Sequence, residues 1–290
     1  MDSRRVTPVT ADSMTMRADA HIHLFAGGYR GGSFASRPGV SIDEAVCYDS
    51  LAREHDVAAA LVVGYGAEDW CTDNNSYVAE QGQKFDWVHP LAYVAIDSAG
   101  AARNLEILQE QGFVGVSMYV FGDDAQRLAQ IPAGFWHWLE QRAWLVSVNS
   151  QGDAWTAWQP ILEQFPRLPL LISHLGLPPA AASVPSREQA GNALRQVTDL
   201  AVYPGVRVKL SGFYALTSPG HDFPHLAAWP YVEQLVEAFS CHRLLWASDF
   251  SPCLDWVTFP QTIDIVNRMP FLSEDDVAKI TGGNLLALFD

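Results

Sequence analysis

Eight short apolar runs, each followed by a longer and more polar stretch, most tightly limit how this chain can fold. They occupy 16–25, 57–65, 86–95, 113–120, 144–150, 169–176, 206–212 and 243–250. Several are nearly continuous in apolar residues, as expected of parallel strands buried on both faces. Helical spacing recurs between them, at 43–55, 101–111, 136–142, 154–165 and 187–202. Ser41 is the N-cap candidate for the first helix, and Gly112 stops the second. Pro230 opens another helix at its first turn, and Ser273 with Asp276 reads as a capping box for the last one. This alternation predicts an α/β fold, a single-domain (β/α)8 TIM barrel over 16–290 with a flexible arm at 1–15. The length of 290 residues suits a barrel, which takes about 250 residues as one domain. An open doubly wound sheet is the rival. No GxGxxG follows the first run, which argues against a dinucleotide-binding fold.

Charge narrows the partners. With 33 acidic and 18 basic residues the net charge is -15, so the chain repels phosphate backbones, and no basic stripe offsets this. No segment approaches the ~20 apolar residues of a membrane span. The four cysteines, Cys47, Cys71, Cys241 and Cys253, show no CxxC spacing and read as reduced thiols of a cytoplasmic protein. The expected partner is a small-molecule substrate, not nucleic acid or membrane; a homo-oligomer is compatible with the sequence.

In such barrels the active site lies at the C-terminal ends of the strands. The first run carries His21 and His23, whose spacing of two puts both side chains on one face of a strand. An HxH pair can chelate zinc or a similar ion, although two ordinary histidines would look the same. The sixth run ends at His174 and the eighth at Asp249, each after apolar residues that leave a polar group in need of partners. Alone, His174 reads as a satisfied core histidine and Asp249 equally as a cap. Together, three histidines and one carboxylate at the same end of strands one, six and eight point to one catalytic centre, because strands one and eight are neighbours in a closed barrel.

The segments DAHIHLF, LLISHLGLP, VKLSG, RLLWASDFSP and ITGGNLLALF, in that order, resemble the amidohydrolase superfamily, and within it the amidohydrolase-related branch that includes lactonases. The resemblance extends from about Arg17 to the C-terminus. It implies a hydrolase that opens a lactone ring, with His21, His23, His174 and Asp249 as metal ligands and Asp249 and His174 as catalytic groups. Two departures matter. Two-metal members carry a lysine on strand four, where this chain reads FVGVSMYV, and many carry a histidine after strand five, where Asn149 and Gln151 stand. The resemblance therefore implies at most one divalent ion, zinc or manganese, and leaves metal-free catalysis open. A basic anchor after strand four is also missing, with Ser117, Met118 and Tyr119 in its place.

Lys209, Arg30, Tyr119, Asn149, Gln151 and Tyr214 are the substrate-binding candidates. Lys209 either grips a substrate carboxylate or packs its stem and pairs its head with an acid. Arg30 either closes a glycine-flanked loop over substrate or is solvated. His221 and His225 read as solvated loop histidines, and Trp155 and Trp158 as helix packing. Two other functions use the same residues. One is a metal-dependent decarboxylase or hydratase acting on an aromatic or muconate-type acid. The other is a catalytically decayed barrel that binds a small ligand.

Overall fold

The computed structural model describes residues 16–31, 42–100 and 102–289. The arm expected at 1–15 and the N-cap candidate Ser41 lie outside them. The described residues form one eight-stranded parallel sheet in the order β1-β2-β3-β4-β5-β6-β7-β8. The strands are β1 Arg17–Ile22, β2 Val57–Val63, β3 Val88–Tyr93, β4 Gly115–Val120, β5 Leu145–Ser150, β6 Leu170–Ile172, β7 Arg207–Leu210 and β8 Leu244–Trp246. The sheet curls until its edges meet, giving the expected barrel rather than an open sheet.

The closing seam is short. A single parallel bridge joins Ile22 to Phe250, just past β8. The Asp249 amide donates to the His21 carbonyl at 2.9 Å, and the His23 amide donates to the Phe250 carbonyl. A side chain adds a third tie. The buried Asp19 carboxylate accepts from the backbone amides of Ser248 at 2.9 Å and His21 at 3.2 Å, and from the Tyr48 hydroxyl at 2.9 Å. Residues far apart in sequence are thereby held at the rim.

Along the strands side chains alternate between two environments. Ala59, Leu61, Leu145, Leu171, Leu245 and Ala247 pack inside the barrel, against Leu285 near the C-terminus. Their neighbours, such as Ala60, Val62, Val146 and Ile172, pack outward into a larger core. Trp155 and Trp158 belong to that outer core, as their spacing suggests.

The main helices that follow the strands are α1 Glu44–Glu54, α2 Asn74–Lys84, α3 Ala102–Glu110, α4 Ala133–Gln141, α5 Gln159–Gln164, α6 Arg187–Thr198, α7 Trp229–Phe239, α8 Phe259–Asn267 and α9 Glu274–Ala278. Asp43 caps α1, its carboxylate accepting from the Val46 amide. The Ser273–Asp276 capping box at α9 is present. The helix expected over 154–165 is instead a 3-10 turn, Gly152–Trp158, followed by α5. Pro160 explains the break: it lacks an N–H and fits only the first turn of a helix. Strands six and eight are also shorter than the apolar runs. Each ladder ends before its polar residue, because His174 and Asp249 take positive φ angles of 52° and 60°, which no strand can continue.

Asp19→Ala should strip three buried donors of their acceptor at the seam and lower unfolding free energy by about 2–4 kcal/mol. Tyr48→Phe removes one donor only and should cost about 1 kcal/mol. Urea denaturation of both variants checks this, and a wild-type midpoint for Asp19→Ala would contradict it.

Candidate active site

Each group arrives at the rim for a local reason. His21 and His23 stand two residues apart at the end of β1. His174 and Asp249 occupy the turns immediately after β6 and β8, both in the left-handed region. Such a conformation costs a residue with a Cβ roughly 1–2 kcal/mol, and its clustering here marks a place where geometry outweighs local preference.

The tautomers follow from the hydrogen bonds. His23 Nδ1 lies 2.7 Å from the Val63 carbonyl, which can only accept, so the proton sits on Nδ1 and Nε2 presents a lone pair. His21 Nε2 lies 3.1 Å from that lone pair. Without a cation between them, His21 must carry its proton on Nε2 and accept at Nδ1, where Ser173 Oγ and Lys209 Nζ each lie 3.3 Å away. Asp249 Oδ1 is 3.7 Å from His21 Nε2 and 3.8 Å from His23 Nε2. Its other oxygen accepts from the Tyr214 hydroxyl at 2.5 Å and lies 4.0 Å from His174 Nδ1. His174 Nδ1 is 2.9 Å from Ser211 Oγ.

Burial sets the charges. It raises the Asp249 carboxyl from 3.8 to about 7, against the lowering effect of the Tyr214 hydrogen bond. It lowers His23 to about 4 and His174 to about 3, and puts His21 well below the usual histidine range. The histidines are held neutral at physiological pH, as metal ligands must be.

Three donors converge, His21 Nε2, His23 Nε2 and Asp249 Oδ1, all within 4.8 Å of one another. A four-coordinate ion with bonds of about 2.0–2.1 Å spaces its ligand atoms about 3.3 Å apart. The separations of 3.1, 3.7 and 3.8 Å suit one such ion. Ligation through both Nε2 atoms needs the His21 proton on Nδ1 instead, where the Ser173 hydroxyl can accept it. His174 stands aside from this trio, tied to Ser211.

A cavity of about 320 Å³ opens above the centre. His23, His174, Asp249, Tyr119, Asn149 and Tyr214 line it, all of them sequence candidates. Two candidates do not reach it: Arg30 and Gln151 are exposed and outside the lining. Lys209 is a third departure. It is fully buried beneath His21, its Nζ donating to Ser147 Oγ at 2.6 Å, and burial lowers it to about 7. Its place on β7, opposite Leu245, points it into the barrel, and it is not among the residues that line the cavity. His225 is likewise not solvated: it is fully buried and bonded to Thr217 Oγ1 at 2.7 Å, while His221 is exposed.

The sequence reading missed Phe25, Tyr29, Tyr65, Glu68 and Trp70, which form one wall of the cavity. Tyr65 and Phe25 lie two and three residues past the ends of β2 and β1, which was the available signal. Asp19 and Ser211 were missed too, though Asp19 shares the two-residue spacing of the histidines.

The family model described as Amidohydrolase matches residues 18–290. An L-fucono-1,5-lactonase of Burkholderia ambifaria is 31% identical over 130 residues, covering 42% of this chain and 41% of the relative. The match thus spans less than half the length of that curated relative. Among solved structures, a probable 2-pyrone-4,6-dicarboxylic acid hydrolase from Acinetobacter baumannii with citric acid bound aligns with TM-score 0.71 at 19% identity, over 94% of this chain and 98% of that one. An amidohydrolase from Burkholderia multivorans with bound zinc gives 0.70 at 17%, over 94% and 99%. A dihydroxybenzoic acid decarboxylase from Polaromonas sp. JS666, with manganese and 2-nitroresorcinol, gives 0.65 at 14%, over 95% and 97%. At these identities the structures establish a common fold.

Gly212 has a positive φ of 65°, and a Cβ there would meet His174 Nδ1 at 2.7 Å. Gly212→Ala should displace the His174 ring, break its bond to Ser211 and destabilise the protein by about 1–3 kcal/mol. A crystal structure of the variant with the ring unmoved would contradict this.

Proposed function

The chain belongs to the amidohydrolase family, and from that premise we propose that it hydrolyses a lactone, using Asp249 as general base beside one divalent cation. The observation that carries this reading is the buried Asp249 carboxylate, which faces two imidazole nitrogens on one side and the substrate cavity on the other. The lactonase relative and the pyrone hydrolase neighbour support the lactone class. The bound zinc and manganese of two neighbours support a cation, as does the spacing of the donor trio.

His21, His23 and Asp249 would hold the ion, which when bound supplies a Lewis acid and lowers the pKa of a water toward ~7. Asp249 takes the proton of the attacking water. Tyr214, donating to Asp249 Oδ2, steadies the carboxylate and leaves Oδ1 for the water or ion. Where the Ser211 hydroxyl donates to His174 Nδ1, neutral His174 carries its proton on Nε2, which then donates to the carbonyl oxygen as charge develops there. Below, Ser173 holds the His21 ring and the Val63 carbonyl holds the His23 ring, so neither imidazole needs to reorient during turnover.

The decarboxylase reading draws on one group of structural neighbours. It requires a carboxylate substrate, yet no lysine or arginine is among the described residues lining the cavity. A decayed barrel would have no need to retain the full set of three histidines and a carboxylate in contact.

Asp249→Asn should cut lactone turnover about a thousandfold or more while leaving the fold intact. Wild-type turnover in that variant would remove the assignment. For the metal-free protein the pH profile follows from the raised carboxyl. A base works only when deprotonated, so hydrolysis by chelator-treated enzyme should fall as pH drops through about 7. Added zinc should move the break to lower pH, because a cation favours the carboxylate. A flat profile from pH 5 to 8 without metal would contradict the role of Asp249 as base.

A further inference from the structure

Past the ends of the first two strands the backbone amides have left the ladder and need other acceptors. Side chains at the starts of the next helices supply them. Glu44, the first residue of α1, is buried. Its Oε2 accepts from the Phe25 amide at 2.7 Å and its Oε1 from the Tyr29 amide at 2.8 Å. Asn74, the first residue of α2, is buried as well. Its Oδ1 accepts from the Tyr65 amide at 2.9 Å, and its Nδ2 donates to the Leu24 carbonyl at 2.7 Å. Phe25, Tyr29 and Tyr65, the three residues whose amides are held this way, all line the cavity. Their rings pack onward, Trp70 at 4.8 Å from Phe25 and 5.9 Å from Tyr29, and Tyr119 at 4.8 Å from Tyr65. Burial pushes the Glu44 carboxyl up, and the bonds from the two amides hold it down. Neither Glu44 nor Asn74 lines the cavity above the centre or belongs to the donor trio.

We propose that Glu44 and Asn74 are positioning residues for the substrate: they fix Phe25, Tyr29 and Tyr65 as a preformed aromatic wall against which the substrate ring packs. The proposal rests on the lactone reading above and deepens it. An aromatic face already in place need not be ordered when the ring arrives, so affinity rises. The wall holds no group assigned to the proton or the ion. Its contribution is therefore made equally in the bound and the reacting state, and its loss raises KM without lowering kcat. A carboxylate suits position 44 because two amides must each find an oxygen. Glutamine offers one oxygen and turns an N–H toward the other amide, so one end of the loop comes loose.

3,4-Dihydrocoumarin is the turnover probe: it is uncharged, presents a flat ring to the wall, and its opening is followed by absorbance. Its lactam, 3,4-dihydro-2-quinolinone, resists hydrolysis and reads binding apart from turnover. Glu44→Gln should raise KM for the lactone and Kd for the lactam at least about tenfold, with kcat within about threefold of wild type. Asn74→Ala should give the same split through Tyr65, and it carries the test if Glu44→Gln does not fold. A merely structural role would lower the folded fraction instead, so apparent kcat would fall with KM and Kd unchanged, and that result overturns the proposal. Acrylamide quenching reads the wall without ligand, as the difference in tryptophan fluorescence between each protein and its Trp70→Phe counterpart. Trp70 should be more accessible in Glu44→Gln than in the wild type, and equal quenching overturns the proposal. A wild type that binds neither probe overturns it too, since the wall then receives no such ring. A wild type that hydrolyses no lactone but binds the lactam, with binding weakened in both variants, would keep the positioning role and remove the lactonase reading instead.

Discussion

The barrel closes where its chemistry sits. One bridge, Ile22 to Phe250, joins the first strand to the segment after the last, and the hydrogen bonds beside it belong to His21, His23 and Asp249. The backbone contacts that complete the fold are therefore the same contacts that bring two imidazoles within 4 Å of a carboxylate. Asp19 reinforces the join from below through three donors. Were the seam to slip by one residue, the two-residue alternation of β1 would turn both histidines away from Asp249. The positive φ of Asp249 belongs to the same arrangement. It turns the chain out of β8 so that the amide still reaches β1 while the carboxylate faces the cavity.

Beneath this rim the barrel is not wholly apolar. Lys209, Ser147 and Ser173 are buried there with His21. Lys209 has a serine, a histidine and no carboxylate within bonding reach among the described residues, which is costly for an ammonium and explains its lowered pKa. Its head supports the lower edge of His21 and the centre above from within, and the cavity wall is left without a basic residue among those described. Charge at this site is thus layered, with a lysine below, neutral imidazoles between, and carboxylates and phenols facing the substrate.

Much of this was legible in the chain. Parallel strands buried on both faces announce themselves as apolar runs, so all eight were found, and HxH at the end of the first marked the centre. His174 and Asp249 were legible because a lone polar residue after an apolar run needs partners. The left-handed turns that carry both were not, since neither residue is glycine. α2 was missed because its sequence, NNSYVAEQGQK, shows too few apolar positions for a clear stripe, with only Asn74, Val78 and Gln81 buried. α8 was missed as well, although Thr258 and Gln261 form a capping box at its start. Lys209 stays between two roles in the sequence because its distance from the strand end is visible there, while its contacts with Ser147 and His21 are not.

The proposed function rests on a single cation held at the seam by His21, His23 and Asp249. Anomalous diffraction at the zinc edge, on crystals grown with zinc, tests it most directly. The account predicts a single strong peak about 2.0–2.1 Å from His21 Nε2, His23 Nε2 and an Asp249 oxygen. Two peaks within the barrel mouth, or a peak held by other residues with this trio empty, would contradict it.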